Sequence, residues 1–408
     1  MYHIKSDVDR PDFMFLLEEI DGIVSRQGLR LSNNIFQLKN KLGKEVDSLK
    51  ALIVMQYNIS NPNSPAQIAK YMRENLDYEL LSICKDEKTG KLSSSKENLA
   101  KLEDLGCAFA SDVLNYRKYK KQLEYVEGLL GCCDKYGRVF PKVELGATNR
   151  INYSNPPLMN IPKEIMWDVL APRKDGNYLV SIDIKNQEPT VLINWLGIDS
   201  LKDKLASERG LYFEIFVDIF KKEPNDLELK ELKTAWLALS YGASKFGLKD
   251  ICSVISGDLV YEYFNNIKEI KNYTGKAYGL SKAKCRKAFT YFGTELRLDA
   301  KEVNALKRQH LDFPIQGTCS DILSLLIKRF RAYINTYELK DVLSIYYTRH
   351  DELIIEVDKA FYEKSNASSD EKENINCLLG EILNHKVDDW VEFKTKISLV
   401  KGGNKWEK

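Results

Sequence analysis

Two apolar, β-branched and aromatic runs, "VLSIYY" (342–347) and "LIIEV" (353–357), flank the polar triplet His350-Asp351-Glu352. Short runs of this composition predict strands, which leaves the triplet at or beside the turn of a hairpin. A further run, "NYLVSIDI" at 177–184, predicts a strand that ends on Asp183. Behind it, "KNQEPTVLINWLG" predicts a turn and then a helix with Pro189 at its first position and Gly197 closing it. The first 130 residues read as mostly helical. "NSPAQIAKYMREN" offers Ser64 as N-cap, Pro65 at the first helical position and Gln67 to complete a capping box, and "SSSKENLAKLEDL" repeats the device with Ser94 and Glu97. Helical spacing returns over 201–290 and 320–334, a helix is expected near 375–390, and "FKTKISLV" predicts a last strand. Few strands, supplied by distant parts of a helix-rich chain, make an α+β fold.

Composition narrows the class. The 408 residues are 44% hydrophobic and 29% charged, which describes a globular chain. A net charge of +2 does not select a partner, because basic residues gathered on one face bind polyanions at any overall charge. Such clusters occur at "YRKYKKQ" (116–122) and "KAKCRK" (282–287), and a solvated helix face explains each equally. Eight scattered cysteines without a CxxC pair, and only four histidines, suggest neither a zinc nor a disulfide framework. A reducing, cytoplasmic location is expected, with no leader or membrane span.

The chemistry lies in the carboxylates. Asp183 ends one strand and Asp351 sits at a hairpin tip, and each alone is an ordinary turn or strand-end residue. Brought together on adjacent strands, they could hold two Mg²⁺ ions about 3.5–4 Å apart for in-line phosphoryl displacement. Lys230, Lys233, Leu237 and Tyr241, spaced by three, four and four, share a helix face that could receive a nucleotide. The loop "DEKTGKLSSS", with Lys88 and Lys91 ahead of a helix N-terminus, could hold a phosphate or be a plain capped hairpin.

In their order along the chain these segments resemble the polymerase region of family A DNA polymerases, the bacterial DNA polymerase I type. "SIDIKNQEP" is similar to the first palm motif, with Asp183 at the metal ligand and Glu188 at the glutamate that crowds the sugar 2′ position. "KTAWLALSYG" is similar to the fingers-helix motif, with Lys233 and Tyr241 in place. "HDE" at 350–352 resembles the second palm motif, "RQHLDFPIQGTCSD" the segment carrying Arg308 and Gln316, and "TNRINYSNPPLMNIP" the palm entry carrying Arg150 and Asn160. "GLRLS" at 28–32 and the loop at 88–95 resemble the entry to the thumb and its tip.

The resemblance implies a right-hand polymerase: palm entry over 1–32, thumb 33–130, palm 131–200, fingers 201–305, palm 306–408. It implies dNTPs and primer–template DNA as partners, and two Mg²⁺, replaceable by Mn²⁺, on Asp183 and Asp351. Lys233 would meet the triphosphate, with Lys230, Leu237, Tyr241, Glu188 and Tyr212 around the nucleotide. Arg150, Asn160, Arg308, Gln316, His350 and Glu352 would touch DNA. A monomer is expected, with no room for proofreading or 5′ nuclease domains in these residues; a separate exonuclease or processivity factor would supply what is missing.

Four positions depart from the family pattern: Leu229 for an arginine, Leu237 for an aromatic ring, Asp312 for an asparagine, and Tyr212 for a histidine. Weak dNTP binding is expected from them. The competing readings are a single-subunit RNA polymerase, which Glu188 disfavours, an untemplated transferase, and a non-catalytic nucleic-acid-binding relative, which retention of Asp183, Lys233 and Asp351 disfavours.

Overall fold

A computed structural model describes residues 11–85, 90–367, 379 and 395–400. The chain divides into two compact units, one built from Gly28–Pro141 and Ser154–Asp175, the other from the residues up to Gln27, Lys142–Tyr153 and Gly176–Val400. The expected boundaries differ from this division: the segment assigned to 131–200 is shared between the units.

The Gly28–Pro141 unit is organised by two long helices, Asn34–Tyr57 and Ala108–Cys132, packed along one another. Leu42, Val46 and Ile53 of the first and Val113, Leu123 and Val126 of the second are buried, the stripe an amphipathic pair hides. Ser64 caps the Pro65–Asn75 helix by accepting from the Gln67 amide. The expected capping box does not close, because the Gln67 carboxamide oxygen instead accepts from the Asn61 amide. The following cap is Ser95, one residue beyond the expected Ser94, and it accepts from the Asn98 amide. Lys88 lies outside the described residues.

In the other unit a four-stranded antiparallel sheet runs in the order Thr395–Val400, Tyr178–Ile184, Glu352–Val357, Leu343–Arg349. Glu352–Val357 is buried at every position, as a central strand covered on both faces must be. Arg349 pairs with Glu352, so His350 and Asp351 form a two-residue turn. His350 takes a left-handed backbone, φ 52°, which costs a non-glycine residue roughly 1–3 kcal/mol and which the flanking ladder holds in place.

The helix after the Tyr178–Ile184 strand starts at Gln187, with Asn186 as its cap, so Pro189 stands at its third position rather than its first. The helix expected over 320–334 is far longer, Val303–Thr336, and passes through Pro314. Proline lacks the N–H that would serve the His310 carbonyl. The Tyr273 hydroxyl, from the Lys268–Lys282 helix, stands 3.3 Å from the His310 carbonyl and 2.9 Å from that of Leu311, and supplies a replacement donor. Further along, a Cβ on Gly317 would meet Leu296 and Thr290 at 2.8 Å. Glycine there lets the Lys287–Phe289/Glu295–Arg297 hairpin lie against the helix. The helix expected near 375–390 lies outside the described residues except at Leu379. A helix at Lys359–Ala367 was not expected. Among the described residues no helix is long and apolar enough to cross a membrane, and the cysteines are unbridged.

Candidate active site

The sheet register builds the site. Asp183, at the end of its strand, pairs with Glu352, so the turn residue Asp351 lies one step beyond the pair, at the same end of the sheet. The Asp351 carbonyl accepts from the Ile184 amide at 3.5 Å and ties the turn to the strand end. Both aspartates, with His350, Arg150, Glu188, Tyr212, Lys233 and Leu237, line one cleft of about 520 Å³.

Two carboxylates in one half-buried cleft repel one another. Burial, and then the charge of Asp183, push the Asp351 carboxyl above its ordinary value. A hard cation would relieve that repulsion, and a pair of carboxylates with its remaining positions left to water and phosphate oxygen is the donor set Mg²⁺ prefers. No group of three or more metal-binding side chains occurs among the described residues, so a closed cage of the zinc type is not offered. The residues fit Mg²⁺ or Mn²⁺.

Opposite the carboxylates stands the Asp226–Ser240 helix, begun by a complete Asn225/Glu228 capping box. Lys233 projects from it, its ammonium 5.9 Å from the centre of the Tyr212 ring. Tyr212 is 9% exposed and its hydroxyl has no partner among the described residues; burial drives its pKa far up and keeps it neutral. Lys230, expected on the same face, is exposed and does not line the cleft, whose lining on this stripe is Lys233 and Leu237. Leu229 packs into the hydrophobic core beside the helix.

At the foot of this helix Glu188 is gripped from two sides. Arg150 donates to one carboxylate oxygen at 2.6 Å, and the Tyr241 hydroxyl donates to the other. Burial and this carboxylate raise the Tyr241 pKa well out of reach, so the hydroxyl stays a donor. Asp312 stands close enough to feel the Glu188 charge, and its Oδ1 is buried without a partner among the described residues. Burial, then Glu188, push its carboxyl up to about 6, with Arg150 and Gln316 pulling the other way. Gln316 is thus found against Asp312. Arg308 lies near Gly242, whose φ of 86° turns the chain after Tyr241.

One expected DNA contact, Glu352, is not presented to solvent. Glu352 is 3% exposed and its carboxylate accepts from the Ser181 hydroxyl, so it works inside the sheet and is not presented to a partner. Asn160 belongs to the Gly28–Pro141 unit. Residues that carried no expectation also matter. Lys185, Asn186 and Gln187 line the cleft, and the Gln187 carboxamide donates to the Cys319 carbonyl at 3.2 Å, tying the turn to the long helix. The "KNQ" between strand and helix was the visible signal: polar residues in a turn that begins at a catalytic-type carboxylate.

With this geometry in view, comparison with known proteins is direct. The family model described as DNA polymerase family A matches residues 32–389. DNA polymerase I of Rhizobium leguminosarum is 26% identical over 85% of this chain and 35% of its own length. Thermostable DNA polymerase I of Thermus thermophilus is 25% identical over 88% of this chain and 46% of its own. DNA polymerase theta of Caenorhabditis elegans is 24% identical over 82% of this chain and 21% of its own. The chain therefore spans about a fifth to a half of these relatives. Among solved structures, the POL domain of Pol1 from M. smegmatis, in complex with DNA primer-template and dNTP, matches with a TM-score of 0.78 at 20% identity. That match covers 95% of this chain and 70% of the other, and it establishes the α+β right-hand polymerase fold. The match of the family model over most of its length shows that this chain belongs to DNA polymerase family A.

Proposed function

We propose that this chain is a template-directed 5′→3′ DNA polymerase that adds dNTPs to a primer 3′-hydroxyl. The observation that carries the proposal is the register that sets Asp351 beside Asp183 in a cleft also lined by Lys233 and Glu188. Asp183 and Asp351 would hold two Mg²⁺, with Mn²⁺ as a substitute. When bound, the ions supply Lewis-acid stabilisation of the phosphoryl oxygens and favour the primer alkoxide. Lys233 meets the triphosphate and neutralises charge that grows on the departing pyrophosphate. Tyr212, neutral beneath it, offers its ring face to the ammonium. Glu188, held by Arg150 and Tyr241, is a fixed wall against a ribose 2′-hydroxyl. Leu237 is the apolar contact for the incoming sugar or base. Arg150, Arg308, Gln316 and His350 face the primer–template, where minor-groove acceptors vary little among correct pairs. We assign the 33–130 helices to the thumb and 201–305 to the fingers. We infer a monomer in a reducing, cytoplasmic compartment, the location favoured by scattered cysteines whose spacing suggests no disulfide or metal framework.

Extension of a labelled primer with dNTPs or rNTPs, with and without template, tests the proposal. Template-dependent growth with dNTPs is expected. Growth with rNTPs at equal rate would favour an RNA polymerase, and growth of a lone single strand an untemplated transferase.

A further inference from the structure

A second cavity, of about 690 Å³, opens on the reverse of the long Val303–Thr336 helix. Its wall on that helix is His310 and Pro314, which helical periodicity turns away from the face carrying Arg308, Asp312 and Gln316. The remaining walls are the end of the Gln187–Leu196 helix, one stripe of the Lys268–Lys282 helix, and the edge of the Lys287–Phe289 strand. It shares no residue with the cleft that holds the two aspartates.

The lining is specific in its chemistry. Three aromatic side chains from three elements bound it: Trp195, Tyr273 and Phe289. Trp195 and Tyr273 lie 6.4 Å apart between ring centres, tilted by 50°, and Phe289 is 52% exposed, an apolar ring left to solvent. Lys276 is exposed at the rim and has no carboxylate partner among the described residues, whereas Lys287 is tied to Glu295 at 2.9 Å. Acceptors complete the set. Glu269 lies on the same helical stripe as Lys276. The His310 ring is 4% exposed, and its Nε2 lies 3.1 Å from the Cys285 carbonyl. A carbonyl only accepts, so Nε2 carries the proton and Nδ1 remains an acceptor. Burial lowers the His310 pKa and keeps that neutral form.

An apolar guest would leave Lys276 and Glu269 unserved, and a neutral sugar, though its C–H face could pack on the rings, would offer Lys276 no anion. A flat heteroaromatic with N–H donors and a phosphate meets all of them: stacking for the rings, an ion pair for Lys276, hydrogen bonds for the acceptors. The volume lies within the range of about 300–1,000 Å³ typical of small-molecule sites. We propose that this cavity is a second, non-catalytic binding site for a nucleobase carrying a phosphate, held by Trp195, Tyr273, Phe289 and Lys276. That chemistry has two sources, a free mononucleotide and an unpaired base of single-stranded DNA.

Equilibrium dialysis of the full chain with AMP in EDTA tests it. AMP has no leaving group for extension, and EDTA removes metal-dependent binding at the aspartate cleft. Saturable binding with Kd below about 1 mM is expected. Lys276→Glu, on an exposed position, is expected to weaken it about tenfold by replacing attraction with repulsion. Ala277→Phe, which fills the cavity from a wall position, is expected to remove it, and Asp183→Ala to leave it unchanged. An oligothymidylate added as competitor separates the sources: displacement of AMP assigns the site to single-stranded DNA as well, and no displacement assigns it to free nucleotide. Absence of saturable AMP binding would overturn the proposal. So would binding that Lys276→Glu leaves unchanged, or binding that Asp183→Ala abolishes. Melting curves of both cavity variants confirm folding, and because Lys276 is exposed its variant reads the site even if Ala277→Phe unfolds.

Discussion

Asp183 stands directly opposite Glu352 in the antiparallel ladder, and that pairing fixes where the neighbouring Asp351 can be. A slip of one residue would reverse which face each side chain occupies and dismantle the cleft. The buried bond between Ser181 and Glu352 lies on the same two strands and resists such a slip. Glu352, the third residue of the triplet, is therefore part of the clamp that holds the register.

Leu237 lines the cleft at the position where the family pattern has an aromatic ring. Leu237→Phe is expected to lower the apparent KM for dNTP by roughly 2–10-fold, the worth of an added aromatic contact. Single-nucleotide incorporation across a dNTP titration measures this, and an unchanged or raised KM would show that the helix presents a different face to substrate.

Glu188 and Arg150 are each about a quarter exposed and joined at 2.6 Å, so removing the carboxylate removes both a wall and an anchor. Glu188→Ala should lower discrimination against rNTPs by about tenfold or more, and also lower kcat/KM for dNTPs as Arg150 and Tyr241 lose their shared acceptor. Glu188→Gln keeps the bulk and should keep most of the discrimination. Ratios of kcat/KM for paired dNTP and rNTP report both effects, and equal ratios for wild type and Glu188→Ala would remove Glu188 from sugar selection.

Much of this site was legible in the chain, and the reasons are local. The strands declared themselves as β-branched runs, and the carboxylates stood at their ends, so Asp183 and Asp351 could be paired before any coordinates. Lys233 and Leu237 followed from a step of four residues. Lys230 did not, because helical spacing defines a stripe but not where the stripe meets its neighbour. The grip of Arg150 on Glu188 joins residues 38 apart in sequence, and no local pattern encodes it. The helix continues through Pro314 because Tyr273, from another helix, supplies a donor to the His310 carbonyl that proline leaves unserved, a contact no local pattern shows. The burial of Glu352 was invisible for the same reason: its partner Ser181 is on a strand far away in the chain.

Asp321 is fully buried in the long helix, where it accepts from the Thr294 hydroxyl at 3.0 Å while its Oδ2 has no partner among the described residues. Burial pushes its carboxyl up to about 7, against the opposing pull of Thr290 and Thr294. The unfolded chain titrates near 3.9, so between about pH 4 and 7 the folded protein keeps a proton that the unfolded chain has lost, and stability falls as pH rises through that window. Asp321→Asn removes this slope. Its Tm relative to wild type should rise by a few degrees between pH 5 and pH 8. Thermal melts at the two pH values decide, and a constant difference would mean that Asp321 does not titrate in that window.

The most direct test of the central claim is single-turnover primer extension by Asp351→Ala, with primer–template binding measured in parallel. Loss of extension rate on the order of a thousandfold or more, about 4 kcal/mol of barrier, is predicted, with DNA affinity within about threefold of wild type. Extension within about tenfold of the wild-type rate would contradict the assignment of Asp183 and Asp351 as the pair on which synthesis depends.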